Sequence, residues 1–266
     1  SDASLPRSDV VYLKQFTPYN ITPNLRRYLD EDYDVLSVNA LGRYFSDFSI
    51  YYAHTRGKKI ILTPHLTFHT NRYGLFKYAH KSLLAKKLIA WIDKIICFTE
   101  YEKNYWSKNF KVDGDKCVVI PHYIEQFGTR GDATLFSPRK YLLYLGRAGK
   151  NKRIDLIIEA FLKLDNPEYD LYATVRPEDL NRRLQRMVRN NQKIILLGNI
   201  SDREKEKVLA NTEALVLASD YEAFGGVLLE ASVHRKPILC SALEVCREVL
   251  DAEGAIFFDN DLSSLV

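Results

Sequence analysis

"YLLYLGRAGKNKRIDLIIEAF", residues 141–161, decides how this chain folds. Tyr141 to Leu145 form an apolar run of strand length that stops at Gly146. From Ile154 onward the period changes: Ile154, Ile157, Ile158, Phe161 and Leu164 recur at helical spacing and share one face. Between the two lies "GRAGKNKR", 146–153, a basic loop with two glycines. The stretch therefore reads as strand, loop and amphipathic helix, the opening unit of an α/β domain.

The same alternation continues downstream. "YDLYATV" from Tyr169 is followed by a basic helix near 178–190, "KIILLG" from Lys193, a helix opened by Ser201 with Glu204 as a capping box, and "EALVLAS". "KPILCSA" and "GAIFFD" come last. Short apolar strands separated by helices predict a parallel sheet covered on both faces, a doubly wound fold. Upstream the theme is weaker: "YDVLSV" from Tyr33, a helix through "FSIYYAHTRG", "KKIILTPH" from Lys58, a long helix from about Tyr73 to Asp93, "KIICFT" from Lys94, a helix around Glu100 to Trp106, and "KCVVIPH" from Lys116. Residues 121–140 lack periodicity and carry Gly, Pro and Thr, so they are the expected linker. The predicted organisation is two Rossmann-like domains facing across a cleft, residues 1–122 with a linker to about 139, and residues 140–266. Ligands of such sheets sit at the C-terminal ends of strands, so the loops after strands matter most.

Length and composition agree. At 266 residues the chain accommodates two domains, and 46% hydrophobic with 27% charged residues is a globular balance. No window approaches the ~18 uninterrupted apolar residues of a membrane span. The beginning, "SDASLPRSDVVYLKQF", lacks the basic and apolar segments of a secretory signal, so none is expected. Cys97, Cys117, Cys240 and Cys246 are scattered without a C-x-x-C pair, which predicts free thiols and a cytoplasmic setting. A net charge of +4 admits anionic partners without requiring nucleic acid.

Two loops carry the chemistry. In "SDYEAFGGVLLEA", 219–231, a Phe-Gly-Gly turn feeds a helix whose unpaired N–H groups and positive dipole end favour an anion. Glu222 precedes the turn and Glu230 follows it, and carboxylates accept hydrogen bonds from the hydroxyls of a ribose or sugar ring. Phosphate on the amides and hydroxyls on the glutamates is a nucleotide-sugar pattern. The same residues also fit a bland account in which Glu230 complements the helix dipole and the glycines only turn the chain. The loop "GRAGKNKR" misses both the P-loop and the dinucleotide fingerprint, but it keeps Arg147 and Lys152 beyond a strand end, suited to gripping a diphosphate. A solvated basic loop is its bland account.

Together the two loops resemble the G-R-(loop)-K and E-x-F-G-(x)-E elements of retaining GT-B glycosyltransferases of family four, the glycosyl transferases group 1. "DYDVLSVNA", "KKIILTPHLTF" and "IDKIICFTEYEKNYW…KCVVIPHYIE" follow in family order, so the resemblance covers most of residues 30–258. It implies a metal-independent enzyme without a cofactor, taking a UDP- or GDP-linked sugar as donor and a glycan, lipid-linked or small-molecule acceptor. It makes Arg147 and Lys152 the diphosphate clamp, beside Gly146, and Glu230 the ribose ligand. Glu222 with the backbone of Phe224, Gly225 and Gly226 holds the donor sugar, and His65, after "LTP", serves the acceptor side. His69 and His122 have no motif support and are expected to be structural. Against the family pattern, the N-terminal domain is incomplete, lacking the first strand and its Gly-rich loop, and the chain ends at "DLSSLV" before the closing helices. Ala223, "TVRPED" at 174–179 and "LEVCREV" from Leu243 also depart from it. A nucleotide-sugar-binding protein without transfer and a sugar-nucleotide epimerase are the alternatives.

Three further features bear on partners and metals. Residues 72–94 hold six Lys/Arg and one acid among Leu, Phe and Trp, a candidate membrane-surface helix as well as an ordinary helix with a basic solvated face. Asp30, Asp32 and Asp34 precede a strand rather than follow one, so no metal pair is expected. "NRRLQRMVRNNQK" is basic but has no aromatic interleaving, so no nucleic-acid partner is expected.

Overall fold

A computed structural model describes residues 24–65, 75–124, 139–250 and 253–266, with residues 75–82 described by their backbone. These residues form two compact units, one of residues up to Cys97 with Tyr105–Val119, the other of Phe98–Asn104 with Ile120–Val266. Most of the expected linker, 125–138, lies outside the described residues.

The first unit follows the strand-helix alternation: α1 (Leu25–Leu29), β1 (Val35–Asn39), α2 (Tyr44–Thr55), β2 (Lys59–Thr63), α3 (Leu75–Ala90), β3 (Lys94–Cys97), the part of α4 (Glu100–Phe110) from Tyr105 onward, and β4 (Cys117–Val119). Its strands run parallel in the order β1-β2-β3-β4. Val38, Ile60, Leu62 and Ile95 from the sheet pack with Ile50 and Ala53 of α2 and Leu88 and Ile89 of α3.

The second unit contains β5 (Lys140–Tyr144), a tight 3-10 turn (Lys150–Lys152), α5 (Ile154–Leu164), β6 (Tyr169–Ala173), α6 (Arg182–Arg189), β7 (Ile194–Leu196), α7 (Asp202–Asn211), β8 (Ala214–Leu217), α8 (Gly226–Val233), β9 (Ile238–Ser241), α9 (Glu244–Val249), β10 (Ala255–Phe258) and α10 (Leu262–Leu265). Alternate residues feed opposite faces of its sheet: Tyr141, Leu143, Leu215 and Leu217 join one core, Tyr144 and Val216 the other. Both faces are thus covered, as parallel strands require.

The strand order is β10-β9-β8-β5-β6-β7, all parallel. The chain enters in the middle at β5, builds outward to β7, then returns to the other side of β5 with β8. That reversal opens a crevice beyond the C-terminal ends of β5 and β8, where open α/β sheets bind ligands.

Two expectations need correction. Leu164 does not share the buried face of α5; it is 47% exposed, because the helix ends there and Asp165 turns to φ 42. The segment Phe98–Asn104, expected with the first domain, packs with the second unit: the Glu248 carboxylate accepts from the Glu100 and Tyr101 N–H groups at 2.5 and 2.9 Å.

Candidate functional site

β5 and β8 pair through Leu142 with Ala214 and Leu143 with Leu215, so the loops leaving their C-terminal ends run side by side. Three contacts join them. Lys152 Nζ donates to Glu222 Oε1 at 2.5 Å, the Asp220 N–H donates to the Asn151 carbonyl at 2.8 Å, and Arg153 Nη1 donates to Asp220 Oδ1 at 3.2 Å. The two motifs, 70 residues apart in the chain, meet at one candidate site.

The basic loop is shaped by its own backbone. The Gly149 N–H donates to the Arg147 carbonyl and the Lys152 N–H to the Gly149 carbonyl, at 2.8 and 2.9 Å, closing the turn that aims Lys152 at Glu222. Gly146 donates its N–H to Thr174 Oγ1 at 2.9 Å, so this amide already has a partner within the protein. The buried Tyr144 hydroxyl donates to the Arg147 carbonyl at 2.7 Å. Burial, together with the negative charge of Glu222, raises the Tyr144 phenol well above its ordinary value and keeps it a donor. Arg147 itself is exposed, and among the described residues its guanidinium makes no hydrogen bond or ion pair. Of the two expected clamp cations, Lys152 has an acidic partner and Arg147 has none among the described residues.

Glu222 is 7% exposed, and a buried carboxylate requires compensation. Its Oε1 receives the Lys152 ammonium and also the Ser219 hydroxyl at 2.7 Å. Ser219 is held in turn: its N–H donates to Ser241 Oγ at 2.7 Å, Ser241 Oγ donates to Asn260 Oδ1 at 2.6 Å, and Asn260 Nδ2 donates to the Ser219 carbonyl at 2.6 Å. This closed ring of polar contacts ties the ends of β8, β9 and β10 together beneath the loop. Among the described residues no hydrogen bond reaches Glu222 Oε2.

The turn into α8 is anchored by rings. Phe224 is 6% exposed, its ring 6.1 Å from Phe98 and 5.1 Å from His122, both edge-on, while His122 stacks on Phe98 at 3.7 Å. Gly225 caps the helix at φ 79, and a Cβ there would lie 2.9 Å from Leu228 Cδ1. A Cβ on Gly226, the first helical residue, would meet nothing within 4 Å. Glu230 lies on the second turn of α8, not the first, and Lys205 Nζ of α7 donates to its Oε1 at 3.0 Å. The two glutamates therefore have separate cations.

His65 follows β2 in the first unit, exposed and at φ 53. His69 lies outside the described residues. Among the described residues no His, Cys, Asp and Glu are grouped so as to hold a metal ion; Asp30, ahead of β1, accepts from the Tyr52 hydroxyl and pairs with Arg56 at 2.6 Å.

Residues 116–265 match the family model described as glycosyl transferases group 1, and residues 8–125 match that of glycosyltransferase family 4. The chain belongs to the glycosyl transferases group 1 family. Curated relatives within reach of it include an N-acetylgalactosamine-N,N'-diacetylbacillosaminyl-diphospho-undecaprenol 4-alpha-N-acetylgalactosaminyltransferase of Campylobacter jejuni, 27% identical over 60% of this chain and 42% of the relative. A phosphatidylinositol N-acetylglucosaminyltransferase subunit of Saccharomyces cerevisiae is 25% identical over 94% of this chain and 58% of its own. An alpha-1,3/1,6-mannosyltransferase of the same yeast is 26% identical over 63% and 42%. The chain spans about half the length of these curated relatives. Among solved structures, sucrose-phosphate synthase of Thermosynechococcus elongatus aligns with a TM-score of 0.75 at 18% identity, over 90% of this chain and 64% of that one. Anabaena HepE in complex with UDP and glucose aligns at 0.73 and 12% identity, over 92% and 70%. These likenesses establish the fold of the group 1 family for this chain, a GT-B glycosyltransferase fold.

Sequence reasoning missed Thr174, which holds the Gly146 amide, and Ser219, Ser241 and Asn260, which meet only when the ends of three strands come together. It also set aside His122, which the fold places against the motif residue Phe224. Lys205 stands one residue after the capping-box glutamate and carried no motif signal of its own.

Proposed function

We propose that this chain contains the donor site and part of the acceptor side of a retaining, metal-independent glycosyltransferase. The donor is a UDP- or GDP-linked sugar, the acceptor a glycan, a lipid-linked saccharide or a small molecule. The observation that carries the proposal is the Lys152–Glu222 contact at 2.5 Å, which joins the basic loop and the glutamate loop at the reversal point of the sheet. Diphosphate fits the space between Lys152, the exposed Arg147 and the N-terminal amides of α8. As the sugar-phosphate bond breaks, negative charge grows on the leaving diphosphate, and these preorganised positive groups stabilise it. Glu230 accepts from the ribose hydroxyls. Glu222 keeps Lys152 aimed through Oε1 and leaves Oε2 for a hydroxyl of the donor sugar. His65 serves the acceptor.

Calorimetry with matched ligands tests this. Glu230→Gln weakens the bare nucleoside diphosphate and its sugar conjugate alike, by about 1–3 kcal/mol. Glu222→Gln lowers sugar-nucleotide affinity or turnover more than it lowers affinity for the bare diphosphate. Wild-type protein that binds none of UDP, GDP or their sugars sinks the donor site. Binding without transfer or hydrolysis makes it a binding protein, and interconversion of sugar nucleotides makes it an epimerase. The anomeric coupling of the product, read by NMR, decides retention.

A membrane-surface role rests on α3, where Leu83 and Leu84 are 69% and 44% exposed next to the exposed Lys86 and Lys87. Sedimentation with anionic but not zwitterionic vesicles, lost in Lys86→Glu/Lys87→Glu, supports it; equal recovery with both removes it. All four cysteines are buried, which fits thiols held in the reducing cytoplasm.

A further inference from the structure

The donor reading gives Glu230 a task but leaves its partner unexplained. Lys205 sits in the first turn of α7, on the most firmly held part of that helix. The Ser201–Glu204 capping box closes the N-terminus, and the Lys205 N–H donates to the Ser201 carbonyl at 2.8 Å. From this base Nζ reaches across to α8 and donates to Glu230 Oε1 at 3.0 Å, with both side chains about one quarter exposed. Asp202 Oδ1, at 3.7 Å, is a looser second partner and fully exposed. One residue on, Glu206 meets His234 Nε2 at the end of α8 at 2.8 Å, so the two helices are joined at two points.

A carboxylate has two oxygens with about four acceptor sites. Lys205 occupies one oxygen of Glu230, and among the described residues no hydrogen bond reaches the other. The contact fixes the rotation of the carboxylate and selects which oxygen remains available. Burial lowers the Lys205 ammonium, but the hydrogen bond and charge of Glu230, with Asp202 and Glu206, outweigh it and hold the group above the ordinary lysine value. The Lys205 ammonium therefore stays charged throughout the neutral range.

We propose that Lys205 is a positioning residue for nucleotide recognition: it orients Glu230 so that the free carboxylate oxygen accepts from the ribose diol. The inference rests on the donor reading, and its consequence is selective. Removing Lys205 should harm recognition of the diol while leaving recognition of the rest of the nucleotide in place. A helix-pinning role would lower stability without this selectivity, and simple charge attraction would weaken every diphosphate equally.

The experiment measures, for whichever of UDP and GDP binds more tightly, the ratio of dissociation constants for the 2′,3′-dideoxy nucleotide and the parent. Wild type, K205M, K205Q, K205R, E230Q and E230Q/K205M are compared, each checked by circular dichroism. The expected wild-type ratio is about 10 or more, the value of one to two hydrogen bonds to a charged group. K205M and K205Q should cut the ratio at least about 3-fold, K205R should keep it, and K205M should change nothing further in the E230Q background. An unchanged ratio in K205M and K205Q with a collapsed ratio in E230Q overturns the role of Lys205 and spares the donor reading. An unchanged ratio in E230Q, or no binding of either nucleotide to wild type, overturns the ribose role of Glu230 and this inference with it. A larger ratio in K205M means that Lys205 competes with ribose, which also overturns it. If K205M does not fold, K205Q alone carries the comparison.

Discussion

At single residues the site separates stability from function. Gly225 holds φ 79, and its missing Cβ leaves room for Leu228, which is fully buried and has nowhere to retreat. Gly225→Ala should cost about 1–3 kcal/mol through the left-handed backbone and the contact with Leu228, read as a fall in the melting midpoint; an unchanged midpoint would mean the turn relaxes freely. Arg147 and Lys152 differ in a way the motif did not foretell. Arg147 is exposed and unpaired among the described residues, so Arg147→Ala should leave stability within about 0.5 kcal/mol while lowering turnover ~100-fold. Lys152→Ala should lower stability as well as turnover, because it strands the buried Glu222 carboxylate with only the Ser219 hydroxyl. Equal stability of the two variants in urea would show that the Lys152–Glu222 contact holds nothing together.

Among elements, the start of β2 offers a pH-dependent test. Asp93 follows α3, and its Oδ2 accepts from the Ile60 N–H at 2.8 Å while Oδ1 accepts from Lys59 Nζ at 2.9 Å. The Lys59 hydrogen bond, then the Ile60 amide, hold this carboxyl below its ordinary value of 3.8. A depressed folded-state value means that the contribution to stability is present at neutral pH and is lost as pH falls below about 3.8 through the folded value. The lysine pair is exposed and screened by water, so most of the loss in Asp93→Asn comes from weakening the charge-assisted bond to the Ile60 amide, about 1 kcal/mol. Urea melts at pH 7 and pH 3 should show a larger difference at the first than at the second. The same penalty at both would assign it to packing. Similar logic explains why α7 was legible in advance: Ser201 and Glu204 announce their capping box locally, and both reciprocal bonds are present.

For the whole molecule, two units with separate cores make ligand effects local. A nucleoside diphosphate at ~100 times its dissociation constant should add about 2.7 kcal/mol to the second unit. Hydrogen exchange should then slow around 145–153, 218–230 and the first turn of α7. Protection confined to the first unit would move the nucleotide away from the reversal point of the six-stranded sheet.

The strands, the helices and their alternation were legible because periodicity and capping are local: Ile154, Ile157 and Ile158 declare a buried helix face without help from the rest of the chain. The resemblance carried by Arg147, Lys152, Glu222 and Glu230 could likewise be read, since each motif is contiguous. By itself the sequence thus determined two α/β units and the residues of a candidate anion and hydroxyl site. It did not determine who holds those residues. Lys152 against Glu222, Lys205 against Glu230, Ser219 within its ring and Phe224 against His122 are pairings between positions 19 to 102 residues apart. No periodicity encodes such contacts. They exist because parallel strands bring distant strand ends to one edge of the sheet, and only there do a buried carboxylate and a lysine find each other.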